Sequence, residues 1–111
     1  MSTNVAKFET LKSLGFASIS GTYAQIGTPF NHAMRAIRII NNTDGDMIFS
    51  VDAVNENFFL PAGSFVLWDI TSNSDSNDSL KLSKNTPVYV KQSTAASSGS
   101  VYVEGIFGRG E

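Results

Sequence analysis

With 111 residues and a formal net charge of −2, this chain has the length of one domain with a buried core, and not of two. Its eight Lys and Arg are scattered, whereas phosphate binding draws on clustered cations, so no nucleic acid is expected as a partner. It has zero cysteines, which removes disulfides and thiolate metal sites.

The start, Met1 to Glu9, holds no long apolar run. Neither a secretory signal nor a membrane is expected, and the product reads as soluble and cytoplasmic when made. Residues 1–13 read as an N-terminal arm. Val5, Phe8 and Leu11 recur there at three-residue spacing behind Ser2 and Thr3 as caps, the pattern of one or two helical turns. So short a helix is marginal in water by itself, and a frayed terminus is the other reading.

Residues 14–111 read as a single β-sandwich domain. Leu14 to Ser20 is expected as a strand. The connection from Gly21 to Ala33 holds Tyr23, Ile26, Pro29 and Phe30, and is either an Ω-like loop packed on its own side chains or an exposed contact element. From Arg35 to Ile40 the pattern alternates, with Ile37 and Ile39 on one face and Arg38 on the other. Asn41 to Asp46 then carries turn chemistry for a hairpin with Met47 to Val54, where Met47, Phe49 and Val51 mark the core face. Asn55-Glu56-Asn57 turns the chain into a short strand, Phe58 to Leu60, and Pro61-Ala62-Gly63 turns it again. In Ser64 to Ile70, Phe65 and Leu67 face one way while Val66, Trp68 and Ile70 face the other. Both faces are apolar, so this strand is either central or leaves part of one face for a partner. Thr71 to Ser79 reads as a loop and Leu80 to Leu82 as a brief strand.

Near the end stand two almost identical segments, Val88-Tyr89-Val90-Lys91 and Val101-Tyr102-Val103-Glu104, joined by a small polar linker. As a hairpin they would set all the valines on one face and the tyrosines, Lys91 and Glu104 on the other. Many short strands with turns every eight to twelve residues give an all-β fold, an antiparallel β-sandwich of jelly-roll-like topology.

Chemistry is scarce. The sole histidine, His32, reads as structural in preference to a general base. No glycine-rich phosphate loop, nucleophile elbow or zinc-protease motif occurs. Asn73, Asp75, Asn77 and Asp78 alternate like the first ligands of a calcium loop, but the glycine and glutamate that complete one are missing, so a solvated loop is expected. Trp68 reads as core before it reads as a sugar platform. Tyr89 and Tyr102 fit cross-strand packing and a contact surface equally. No catalytic group, metal or cofactor is expected.

Gly27-Thr28-Pro29-Phe30-Asn31-His32, the strand from Arg35 to Asn42, the Leu60-Pro61-Ala62-Gly63-Ser64-Phe65 turn and the terminal Ser100-Val101-Tyr102-Val103 with Gly105-Ile106-Phe107-Gly108 resemble small virion proteins of short-tailed bacteriophages. Over its length the chain is similar to the capsid decoration, or staple, proteins of epsilon-fifteen-type Salmonella phages. That resemblance implies a jelly-roll-like fold on the outer capsid surface of the virion, over a shell of HK97-type subunits, with the major capsid protein as partner; a homo-oligomer, a dimer, on the shell is a further partner to consider, and sequence does not give the oligomeric state. A protein that binds only the assembled lattice stabilises it by mass action against the pressure of packed DNA. It needs contact surfaces and arms that order on docking. The expected contacts are Val5, Phe8 and Leu11 in the arm, Phe30 in the long loop, and Tyr89 and Tyr102 on the hairpin, with the tail Gly108 to Glu111 as a further reach. The alternative is a receptor- or glycan-binding module on the virion or tail, built from exposed aromatics and the Asn/Asp-rich loop.

Overall fold

The computed structural model describes residues 4–69 and 84–110. They form β1 (Asn4–Phe8), β2 (Lys12–Gly15), a 3-10 turn (Phe16–Ser18), β3 (Ala24–Gln25), β4 (Ala36–Thr43), β5 (Met47–Ser50), β6 (Phe58–Leu60), β7 (Phe65–Asp69), β8 (Tyr89–Gln92) and β9 (Gly99–Gly110). The strands build two antiparallel sheets: one in the order β1-β9-β4-β7 with β2 also on β9, the other β3-β8-β5-β6. The chain changes sheet at nearly every connection after β2, which gives the sandwich its jelly-roll-like character. The core fills the space between the sheets, with Phe49, Val90, Ile39, Met47, Val101 and Val103 almost fully buried.

β4 follows its alternation. Ile37, Ile39, Asn41 and Thr43 point inward and Arg38 outward. The expected hairpin with β5 does not form, because β4 belongs to the five-stranded sheet and β5 to the other. The inward phase continues through the polar Asn41 and Thr43, so β4 runs to its end and Asp44-Gly45-Asp46 must cross the layer. Asn41 makes that crossing possible. Its Nδ2 donates to the carbonyls of Gly45 (2.9 Å), Leu60 (2.9 Å) and Pro61 (3.2 Å), and its Oδ1 accepts from the Thr43 N–H (3.1 Å). A buried amide thereby ties the end of β4 to the turn after β6 and gives the Leu60 carbonyl and the Thr43 N–H a partner between the sheets.

The expected Val-Tyr-Val hairpin is absent for a related reason. β8 pairs with β3 and β5, while β9 pairs with β1, β2 and β4. The linker between them also crosses the sandwich, laced to the first crossing. The Ser93 N–H donates to the Asp46 carbonyl (2.8 Å), and the Ser97 N–H donates to Asp44 Oδ1 (2.7 Å). Both valine faces still turn inward, from opposite sheets.

β5 stops at Ser50, and Val51, expected in the core, is 36% exposed. Asp52 Oδ1 accepts from the Ser50 hydroxyl and the Val54 and Asn55 N–H groups, curling the chain into a turn with Ala53 at φ 62°. Those bonds, the Asn55 N–H foremost, hold the Asp52 carboxyl well below the usual range. β6 and the turn through Gly63, at φ 75°, stand where expected. β7 is bonded to β4 alone among the described strands, with Val66 and Trp68 packed on the core and Phe65 and Leu67 outside. Trp68 meets Phe58 edge to face at 4.6 Å, the core placement expected of it. The calcium-like segment from Asn73 to Asp78 and the brief strand Leu80 to Leu82 lie outside the described residues.

The helical reading of the first residues is replaced by strand. β1 lies antiparallel on the far half of β9, Phe8 opposite Ile106, and β2 on its near half, Lys12 opposite Val103. Four steps on one side match three on the other, so Glu9, Thr10 and Leu11 contain one extra residue, a β-bulge. The bulge resets the alternation. Phe8 and Leu11, at 79% and 55% exposure, are both turned to solvent, and Glu9 and Lys12 are both buried. Three-residue spacing across a bulge mimics a helical repeat. The strand expected over Leu14 to Ser20 is correspondingly short, ending at Gly15 before the 3-10 turn.

Candidate functional site

Strand register assembles a surface on the outer face of the five-stranded sheet. Cross-strand pairing sets Ser13, Tyr102, Ile40 and Phe65 in one row and Glu104, Arg38 and Leu67 in the next. Phe8, Ile106 and Ala36 form a third row. The inward neighbours Val101, Val103, Ile37 and Ile39 are buried, which fixes this set as the outward one. Between the bulge and β7 the face dips into a groove of about 400 Å³, walled by Phe8 and Leu11 on one side and Leu67 on the other, with Ala36 and Gly105 in its lining.

One ion pair sits within this apolar setting. Arg38 Nε donates to Glu104 Oε1 at 2.5 Å, and the guanidinium lies 5.9 Å from the centre of the Phe65 ring. The bond to Glu104 raises the Arg38 pKa above its ordinary value. Both partners are substantially exposed, so the pair is worth little to stability and serves to keep two charges neutralised on a greasy face. With Phe8 at 79%, Phe65 at 62%, Leu67 at 60% and Leu11 at 55% exposure, four large apolar side chains on one face form the kind of contiguous patch that marks a contact surface.

Beneath the bulge is a second cluster. The Glu9 side chain is 3% exposed and the Lys12 side chain 6%, with Lys12 Nζ 3.8 Å from Glu9 Oε2. Glu9 Oε2 accepts the Asn31 N–H at 3.1 Å, and Oε1 lies 3.2 Å from His32 Nδ1. His32 stacks flat on Phe107 at 3.8 Å. Lys12 also donates to Thr28 Oγ1 at 3.3 Å and lies 5.6 Å from the centre of the Phe30 ring. Burial pushes the Glu9 carboxyl up, but the Asn31 N–H, the His32 contacts and Lys12 together outweigh it and leave the pKa lowered. His32 thus has a carboxylate partner and ties the loop to β9, a structural setting. Among the described residues no group of three or more His, Cys, Asp or Glu could hold a metal ion, and no helix is long and apolar enough to cross a membrane.

The expected contact residues divide. Phe8, Leu11 and Tyr102 share the outer face of the five-stranded sheet. Val5 stands in β1 opposite Arg109. Phe30 is 1% exposed and belongs to the core, with its N–H on the Thr86 carbonyl at 3.1 Å, so it cannot be a contact. The long loop is therefore the packed alternative, with Ile26 also inside. Tyr89 lies on the other sheet, opposite Gln25 and Ser50, on the face where Lys91 bonds Glu56 at 3.0 Å. The two tyrosines do not share a surface. Phe65, Leu67, Arg38 and Glu104, which the sequence does not mark as contacts, complete the outer face of the five-stranded sheet. The two apolar faces of β7 were the signal for the first two, and the long-range pairing of β4 with β9 left none for the ion pair.

No family model matches the chain, and no curated protein matches it. Among solved structures, one described as Bacillus endospore appendages that form a novel family of disulfide-linked pili matches with a TM-score of 0.52 at 13% identity, over 96% of this chain and 89% of that one. The likeness is one of fold, a β-sandwich.

Proposed function

We propose that this chain is a structural virion protein that docks on the outside of a capsid lattice and clamps neighbouring major capsid subunits against internal DNA pressure. The observation that carries the reading is the outer face of the five-stranded sheet, where Phe8, Leu11, Phe65 and Leu67 stay in water around one neutralised ion pair. A rigid sandwich with such a face suits binding to another protein. The resemblance to decoration proteins supplies the partner, the major capsid protein, and the place, the outer capsid surface. The pili of the structural neighbour are linked by disulfides, and this chain, with zero cysteines, lacks that chemistry.

The test is occupancy on shells that lack the protein. Wild-type protein should co-sediment with them, and the Phe65→Ser, Leu67→Ser double variant should not, while both remain folded. Decorated particles should also release DNA at a higher temperature than bare ones. Glycan binding by the wild type with no shell binding would overturn the clamp in favour of a receptor-binding module.

A further inference from the structure

We propose that Glu9 is a positioning residue for the docking face, a latch whose carboxylate holds the bulge so that Phe8 and Leu11 wall the groove, and whose protonation frees that wall while the sandwich stays folded. The proposal rests on the docking face described above and adds a device that sets its shape. Its ground is the bulge itself. Residues 8 to 12 alternate between wall and anchor: Phe8 and Leu11 outside, Glu9 and Lys12 buried inside. The wall cannot move without drawing the anchors out.

The charged and titratable groups around Glu9 are few. Lys12 approaches from β2 at 3.8 Å and His32 from the loop at 3.2 Å, with the Asn31 N–H at 3.1 Å. From β9 comes only backbone, the Gly105 carbonyl that accepts the Glu9 N–H at 2.8 Å. Arg38 and Glu104 line the outer groove and are occupied with each other, and Lys7, the next charge along β1, is exposed. A neutral Glu9 would leave Lys12 buried without a counter-charge, which a long side chain relieves by moving to water. That movement carries Leu11 with it. Because the Glu9 pKa is lowered, the latch is fully closed above the ordinary glutamate range and opens as pH falls through the folded value.

The test is an NMR titration of the isolated protein, following the Leu11 methyls, the Asn31 amide and the Trp68 indole. The Leu11 and Asn31 signals should move together with one midpoint below the ordinary glutamate value of about 4.3, while the indole signal still reports a folded sandwich. Glu9→Gln should show the acid-form Leu11 signal at every pH. His32→Gln, which removes a partner of the charged form, should raise the midpoint, a response that a merely structural role would not give. On shells at neutral pH, Glu9→Gln should bind roughly tenfold more weakly than wild type. Leu11 and Asn31 titrating separately, or an unmoved midpoint in His32→Gln, overturns the latch, and the second result stands even if Glu9→Gln does not fold. Shell binding by Glu9→Gln equal to wild type overturns its role in docking. Wild-type protein that binds no shell removes the docking face, whatever the titration shows.

Discussion

The Thr43 hydroxyl donates a 2.6 Å hydrogen bond to Asn41 Oδ1, and the two side chains together hold the point where the chain leaves one sheet for the other. The same hydroxyl lies 3.0 Å from the Gly45 carbonyl and accepts the Gly45 N–H at 3.3 Å. Both residues are buried. Asn41→Ala takes the amide away from the Leu60 carbonyl and the Thr43 N–H, while the Pro61 carbonyl keeps the Ser64 N–H and hydroxyl and the Gly45 carbonyl keeps the Thr43 hydroxyl, so the expected cost is about 2–3 kcal/mol, shared between unsatisfied polar groups and lost packing. Urea denaturation checks this. Asn41→Leu should be no better, and a midpoint equal to wild type would show that these groups find water.

The contrast with β4's neighbours shows what a sequence exposes and what it hides. Ile37 and Ile39 against Arg38, the Pro61-Ala62-Gly63 turn and the short β6 were legible because alternation and turn chemistry are local. Which strand lies beside which is not local. Asn41 to Asp46 has the composition of a hairpin turn, and only the burial of Asn41 and Thr43 shows that β4 continues inward and the chain then crosses. The likeness of the repeated Val-Tyr-Val segments suggests partners, yet likeness of phase requires only that both valine faces meet a core. The burial of Phe30 is not legible, because a loop's aromatic gives no alternation from which to infer it. Of the surface, Phe8 and Leu11 were found through a helical spacing that a bulge had imitated.

Gly99 is the second point of crossing. It opens β9 at φ +91°, and a Cβ there would lie 2.0 Å from the Asn42 carbonyl oxygen. Space and backbone conformation both forbid a side chain. Gly99→Ala should therefore destabilise by roughly 2 kcal/mol or more, whereas Gly63→Ala, at φ +75° but with nothing within 4 Å of its Cβ, should cost about 1 kcal/mol from strain alone. Thermal melts of the two variants side by side give the comparison. Equal losses would mean that the β8–β9 crossing yields to a methyl group.

Removing residues 1–13 would leave the fold untouched if they were a free arm, but from Asn4 onward they hold β1 and the start of β2, both paired with β9. The deletion strips β1 and half of β2 from β9 and takes away Glu9 and Lys12, which bind the loop through Asn31, His32 and Thr28. Val103, which pairs with Lys12, would be left on an open edge, while Val101 keeps Leu14. The expected result is a melting midpoint lower by at least about 10 °C, with proteolysis of the loop around Asn31. A truncated protein that melts with wild type would show that this edge contributes nothing to the fold and would return these residues to the status of an arm.

The proposed docking face makes the most selective prediction, because its residues lie on one sheet and Tyr89 on the other. Phe65 and Leu67 are already 62% and 60% exposed, so replacing both by serine forfeits little burial and should change stability by less than about 1 kcal/mol. If the clamp uses this face, shell occupancy should nonetheless fall at least about tenfold, since a few central apolar anchors carry most of an interface's energy. Tyr89→Ser, on the outer face of the four-stranded sheet, should leave occupancy unchanged. Arg38→Met tests the ion pair separately. It leaves Glu104 unpaired on a surface that docking would dry, so it should weaken binding while barely altering the melting midpoint. Co-sedimentation with undecorated shells reads all three variants in one experiment. Loss of occupancy in Tyr89→Ser with none in the Phe65, Leu67 pair would move the contact to the opposite side of the sandwich.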